Sequence, residues 1–397
     1  MKKSLLLLGA AAVLFVLIGA GCEKIPSLTA AKDKDTNAYQ TLTGQAEELI
    51  MTDASGTRLY ADGSYLNYAS AESSYLLTPL GNQDVFMDLF LFDVKQKKIA
   101  GSFASYDPML ARINNGRLFL AYNPAGSTAN EAPLSIYDIA TKQTTELPLS
   151  VSIQPLGTFD ADGNTLAIAD PRSGSITIYD IADRAKPKVI GTQPITGRVE
   201  RIRVATPWVV WLEETQAQDK LPQTNIQLYN LDTKQKTDLS QGYRIQAELT
   251  TDGKDIAYVG SAASCVIDIK KGATNVTPEN VLENTEKNCS SGDASQEIVM
   301  TDFTGAIKKK IPLSFCANDL QLSKGILAWS ACRDALGEQS RVIKTYDIAK
   351  DAYGELTGSN AKTDLMHPLL ANGSLIYLEA SRSLEPYQDR LMMMTLP

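Results

Sequence analysis

The chain reads as an all-β protein, a seven-bladed β-propeller built from four-stranded antiparallel blades. Three observations carry that reading. First, a short apolar, β-branched stretch ending in a small polar residue recurs as Leu89–Asp93, Ser135–Asp138, Thr177–Asp180, Gln227–Asn230, Ile298–Asp302 and Lys344–Asp347, with a weaker last copy at Leu391–Thr395. The intervals between the copies are 45, 42, 50, 72, 45 and 48 residues, so one unit carries an insertion of about 27 residues beyond the common period. Second, a turn pair precedes each copy: Asp62-Gly63, Asn115-Gly116, Asp162-Gly163, Thr206-Pro207, Asp252-Gly253, Lys324-Gly325 and Asn372-Gly373. Asn-Gly and Asp-Gly favour the positive φ values that two-residue hairpins need. Third, an alternating apolar strand follows each turn: Tyr65–Tyr68, Leu118–Tyr122, Leu166–Ala169, Val209–Leu212, Ile256–Val259, Ile326–Trp329 and Leu375–Leu378. Each unit is therefore strand, tight turn, strand, variable loop, strand, polar turn, strand.

Composition agrees. The hydrophobic fraction is 44% and the charged fraction 21%, which excludes a disordered or collagen-like chain. The 397 residues carry 38 basic and 46 acidic side chains, and losing Lys2 and Lys3 with a cleaved leader takes the net charge to about −10. Such a surface repels phosphates, so nucleic acid is not expected as a partner.

Taken in order, residues 1–21 have the pattern of a signal peptide: Lys2 and Lys3, an apolar run from Leu5 to Ile18, then Gly19, Ala20 and Gly21 before Cys22. Residues 18–22 resemble the lipobox of bacterial lipoproteins, with Gly19 where that family prefers Leu. The resemblance implies that Cys22 is acylated and becomes the mature N-terminus. An uncleaved anchor remains an alternative, because Leu5 to Gly21 is 17 residues and marginally long enough to span. Residues 22–45 follow as the lipidated cysteine and a polar tether without apolar periodicity. The protein is thus expected outside the cytoplasm, lipid-anchored to a bacterial membrane. Glu23 is not the Asp that retains enterobacterial lipoproteins in the inner membrane, so the outer membrane is favoured where the cell has one.

The propeller then occupies residues 46–397. Its last unit ends after a third strand, and the orphan segment Glu47–Thr52 precedes the first unit. Pairing that segment with the last blade removes two exposed edges, so the ring is expected to close there. The stretches Asp160–Ile168 and Thr250–Tyr258 are similar to the Asp-Gly hairpin of TolB-like and WD-type propellers. The Trp-Asp dipeptide of WD repeats is absent, which places the chain nearer the TolB-like group.

Four cysteines lie beyond Cys22, an even number in a compartment that permits disulfides. Cys316 and Cys332 stand eight residues either side of Lys324, opposite one another on a hairpin, and Cys265 and Cys289 share the insertion at about 262–295. The expected pairs are 265 with 289 and 316 with 332. No Cys-x-x-Cys is present, so neither a metal nor any other cofactor is expected.

Little else suggests catalysis. The lone histidine, His367, reads as a wall or packing residue, and no Gly-x-Ser-x-Gly elbow accompanies it. Asp160-x-Asp162-Gly163 resembles a calcium loop but lacks its twelfth-position glutamate. Counting nine residues back from the turn glycines gives candidate channel-mouth residues Asp107, Gln154, Arg244 and Asp364, alongside Ala54 and Cys316. The mixture is not a carboxylate ring. Loops between second and third strands are long (about 70–84, 123–133, 213–225, 262–295, 331–340 and 380–388) and emerge on the face that also carries the blade-to-blade connections. Tyr75, Glu213, Glu214, Lys220, Arg382 and Tyr387 are the candidate binding residues there. The expectation is a non-catalytic scaffold that binds envelope proteins, with a channel-centred lyase or lactonase, or a carbohydrate- or peptidoglycan-binding module, as alternatives.

Overall fold

In a computed structural model, contacts divide the chain into residues 1–34 and residues 35–397. The structure describes residues 37–52, 58–61, 68–69, 75–81, 88–103, 106–122, 130–153, 157–216, 222–240, 242–243, 245–261, 296–313, 317–332, 340–358, 362–371, 373–381 and 390–396. Their strands form seven separate sheets, one per expected blade. Blade three is the simplest: Thr158–Asp162, Thr165–Asp170, Ser175–Asp180 and Lys188–Pro194 pair antiparallel in that order, innermost to outermost.

The recurring Asp or Asn has a physical explanation. It ends the third strand, and its side chain accepts hydrogen bonds from amides of the turn that follows. Asp138 Oδ1 accepts from Ala140 and Thr141, Asn230 Oδ1 from Asp232 and Thr233 at 2.8 and 2.9 Å, and Asp347 Oδ1 from Ala349 and Lys350. The turn glycines match as well, with Gly116, Gly163, Gly253, Gly325 and Gly373 all at φ between 58° and 86°.

Alternation along each strand sends successive side chains to opposite neighbours. In blade five Ala257 and Val259 pack toward blade six, while Ile256 and Tyr258 pack toward blade four. Second strands therefore have both faces covered; all of Asp255–Ser261 is buried. The core is correspondingly seven apolar seams, one between each neighbouring pair of blades, including blade seven with blade one. That last seam closes the ring.

Closure follows the expected route. Glu47–Glu48 is the outer strand of blade seven, antiparallel to Arg390–Thr395, and the Leu49 amide donates to the Leu391 carbonyl at 2.8 Å. The segment continues into blade one, where Met51–Thr52 pairs with Arg58–Ala61. Upstream, Tyr39–Thr41 corrects the tether boundary: it is a fifth strand on blade six, parallel to Ala352–Leu356.

Blade one corrects the sequence reading too. Its second strand is Tyr75–Gly81, not Tyr65–Tyr68; both Arg58–Ala61 and Tyr68–Ala69 pair with it as innermost pieces. Tyr75 pairs with Asp93, so it stands at the short-turn end of a strand rather than in a loop on the opposite face. The insertion is bounded as expected, between Ser261 and Gln296.

Candidate functional site

The innermost strands surround the channel, and three of them share one irregularity. Among the described residues, nine non-glycine residues have positive φ; six of them lie in turns between strands. The other three are Glu248, Asp319 and His367, at φ 59°, 57° and 50°, inside the innermost strands of blades five, six and seven. In each strand two residues stand opposite a single step of the partner. Ala247 pairs with Val259 and Thr250 with Ala257; Asn318 pairs with Ser330 and Gln321 with Ala328; Met366 pairs with Leu378 and Leu369 with Ile376. A bulge re-aims side chains. Here the first bulged residue is titratable, and the second (Leu249, Leu320, Pro368) is buried.

The three form a connected cluster with Arg201, which directly follows a bulge in the innermost strand of blade four. Arg201 pairs with Glu248 at 3.1 Å, and the other Glu248 oxygen accepts from the Leu320 amide at 3.3 Å. Asp319 Oδ1 lies 3.0 Å from His367 Nδ1, close enough to pair though off line for a hydrogen bond. Its Oδ2 accepts from the Ser330 hydroxyl at 3.2 Å, and that hydroxyl oxygen accepts from the His367 amide at 3.1 Å. Burial pushes the Asp319 carboxyl up, but His367, Arg201 and Ser330 outweigh burial and leave it below the ordinary carboxylate range. Nδ1 of His367 is buried while the side chain is 20% exposed, so the ring presents its opposite edge.

The girdle continues through blades two to four. Asp160 Oδ2 accepts from the Val204 amide at 2.8 Å, and Asp162 Oδ2 from the Thr206 amide at 2.9 Å. The pair that resembled a calcium loop thus ties blade three to blade four. Burial raises the Asp160 pKa, against the pull of Arg203 and Arg112. Arg112 also lies over the Phe159 ring, 5.6 Å from its centroid.

The sequence candidates fare unevenly. Asp107 falls in the innermost strand of blade two, Tyr106–Asn114, as expected. Asp364 lies in the innermost strand of blade seven and accepts from the Arg341 amide at 2.6 Å. Gln154, Arg244, Lys220, Arg382, Tyr387, Cys22, Cys265, Cys289 and Cys316 lie outside the described residues. Cys332 is disulfide-bonded, and the neighbouring pair Ala317–Ala331 is in register one residue further along the hairpin.

Glu213 and Glu214 are not loop residues; both belong to the strand Trp208–Gln216. Glu214 lies 3.5 Å from Arg198. Glu213 is 4% exposed and faces inward. Its Oε1 accepts from the Thr196 amide (2.5 Å), the Thr196 hydroxyl (2.8 Å) and the Gly197 amide (2.9 Å), and its Oε2 accepts from the Trp211 indole at 3.2 Å. It fixes the connection between blades three and four. Burial pushes this carboxyl up, but those donors lower it overall.

The residues missed were Arg201, Glu248, Asp319 and the Asp160 group. For Glu248-Leu249 and Asp319-Leu320 the signal is a charged residue followed by an apolar one, five or six positions before the turn glycine.

No protein-family model matches the chain, and no curated protein matches it. Solved structures do. The propeller domain of the trilobed protease from Pyrococcus furiosus, described as having an open velcro topology, superposes with TM-score 0.55 at 10% identity, over 84% of this chain and 95% of that one. An oligogalacturonate lyase from Vibrio parahaemolyticus gives 0.55 at 11% identity, over 91% and 98%. TolB from Acinetobacter baumannii fits more loosely, at 0.38 and 13% identity over 81% and 80%. At these identities the likeness is one of architecture: the chain is a β-propeller, and its neighbours assign it no activity.

Proposed function

We propose that the chain is a lipid-anchored, extracytoplasmic propeller that binds partner proteins of the cell envelope through its long-loop face and catalyses no reaction itself. The observation that carries this is the inequality of the two faces. One face is closed by tight turns, their amides capped by Asp138, Asn230 and Asp347. The other carries the segments between second and third strands, the longest running from Ser261 to Gln296. Rigid scaffolds place recognition on such loops. A scaffold role also suits the channel, where Asp160 and Glu248 hold the backbone amides of neighbouring blades.

In-cell crosslinking with mass spectrometry tests the reading, using the full chain and variants lacking 217–221 or 262–295. Loss of crosslinked envelope proteins in at least one deletion is expected; an unchanged partner list in both overturns the assignment to this face. The intact mass of the purified protein tests the anchor, with an acylated Cys22 at the N-terminus as the expected result. A second reading, a channel-centred lyase or lactonase, draws on the accessible edge of His367 beside Asp319. Turnover of acidic oligosaccharides or lactones that is abolished by His367→Ala would favour it.

A further inference from the structure

The segment from Tyr39 to Thr52 touches three consecutive blades. It adds a parallel strand to blade six, supplies the outer strand of blade seven and pairs with the innermost strand of blade one. Its apolar side chains enter two seams. Leu42 packs against the seam between blades six and seven, whose buried core includes Met394, and a Cβ added at Gly44 would stand 2.8 Å from Met394 Cγ. Leu49 and Met51 belong to the seam between blades seven and one. One stretch of fourteen residues therefore seals both sides of the last blade.

Each end is held by more than backbone pairing. Tyr39 meets Tyr353 edge-on at 5.4 Å, and the Lys344 ammonium sits 4.0 Å from the Tyr39 ring centroid. The Leu42 amide donates to the Glu355 carbonyl at 2.9 Å. Gly354 makes room for it, since a Cβ there would stand 2.5 Å from Leu42 Cδ2. Further along, Glu47 pairs with Lys97 at 2.5 Å and Glu48 pairs with Arg58, both of blade one.

We infer that Tyr39–Thr52 is a single coupled clasp: docking of Tyr39–Leu42 on blade six stabilises the closure of blade seven, so the stretch leading from the N-terminus works as part of the ring lock. The physical link is Leu42. It shares a seam with Met392, the register partner of Glu48. Undocking Leu42 opens that seam, which holds Met394, and so loosens the strand Arg390–Thr395 against which Glu47–Glu48 closes. Only the relation to a membrane rests on the proposed lipidation. If Cys22 carries the lipid, the blade-six strand precedes the blade-seven closure along the chain, so tension on the anchor meets Tyr39–Thr41 first.

Hydrogen exchange read by mass spectrometry on the full chain tests the coupling, with Leu42→Asp and the milder Tyr39→Ala. Coupling predicts that exchange rises roughly tenfold at 39–42 and also at 47–52 and 390–396, while blade three (158–194) stays as in the parent. Faster exchange at 39–42 alone overturns the inference, and so does no change anywhere. Should Leu42→Asp unfold the ring, exchange in blade three rises too, and Tyr39→Ala then decides between the outcomes. The result stands whether or not Cys22 proves to be acylated.

Discussion

Glu213→Ala is the sharpest test of how the blades are held in register. The substitution removes a buried carboxylate that receives four hydrogen bonds and joins the Thr196–Gly197 connection to blade four. The Thr196 hydroxyl can turn away, but the Thr196 and Gly197 amides and the Trp211 indole N–H cannot. The Trp211 bond is buried and its stranded donor costs about 1–3 kcal/mol, whereas the Thr196 and Gly197 bonds are only part-buried and cost about 0.5–1 kcal/mol each, so a loss of about 2–4 kcal/mol is expected. Glu213→Gln keeps the shape and one acceptor oxygen and should lose about 1–2 kcal/mol. The pH dependence has a definite sign. The folded carboxyl titrates below its unfolded value, so its contribution is complete above the ordinary glutamate pKa near 4.3 and disappears as pH falls through the lower folded value. Urea unfolding followed by tryptophan fluorescence is the assay, since Trp211 reports from the site itself. An unfolding free energy within about 0.5 kcal/mol of the parent for Glu213→Ala would refute the clamp.

Three further outcomes follow from the same reasoning. Asp319→Asn should lower stability by about 1–3 kcal/mol at pH 7 through loss of the contact with His367, and the deficit should shrink as pH falls from the ordinary aspartate value of about 3.9 through the lower folded value; a deficit independent of pH across an acid titration would contradict the pairing. Asn230→Ala removes the acceptor for two turn amides and should cost about 1–2 kcal/mol by denaturant midpoint, with no change in partner crosslinking. Peptide mapping without reductant should recover Cys332 joined to Cys316; a Cys332–Cys265 or Cys332–Cys289 peptide would overturn the expected pairing.

The fold was legible because propeller repeats repeat their turn chemistry. Asp138, Asp180, Asn230, Asp302 and Asp347 each cap the same turn, and the Gly at φ near 80° marks the same hairpin, so the phase of most blades can be read from single residues. Blade one misled for a related reason. Asp62-Gly63 looked like that hairpin, while the actual second strand, Tyr75–Gly81, carries Pro79 in its middle, and proline argues against a paired strand. Tyr39–Thr41 gave no signal, because three residues are too few to show a period. The channel cluster was displaced by counting: nine residues back from the turn glycine reaches the start of the innermost strand, while Glu248, Asp319 and His367 stand five or six back, at the bulges. The buried role of Glu213 could not be found by pattern, which placed it on a loop. A buried carboxylate and a surface one are the same letter until the donors around it are known.

The division of the apolar interior into seven narrow seams has an evolutionary consequence. A single large core demands that distant substitutions compensate one another, whereas a change in one seam is felt mainly by the two sheets that border it. Each seam can drift on its own schedule so long as small and large side chains still interlock locally. Chains built this way can differ at some nine positions in ten and still share a fold, as this one and the Pyrococcus furiosus propeller do.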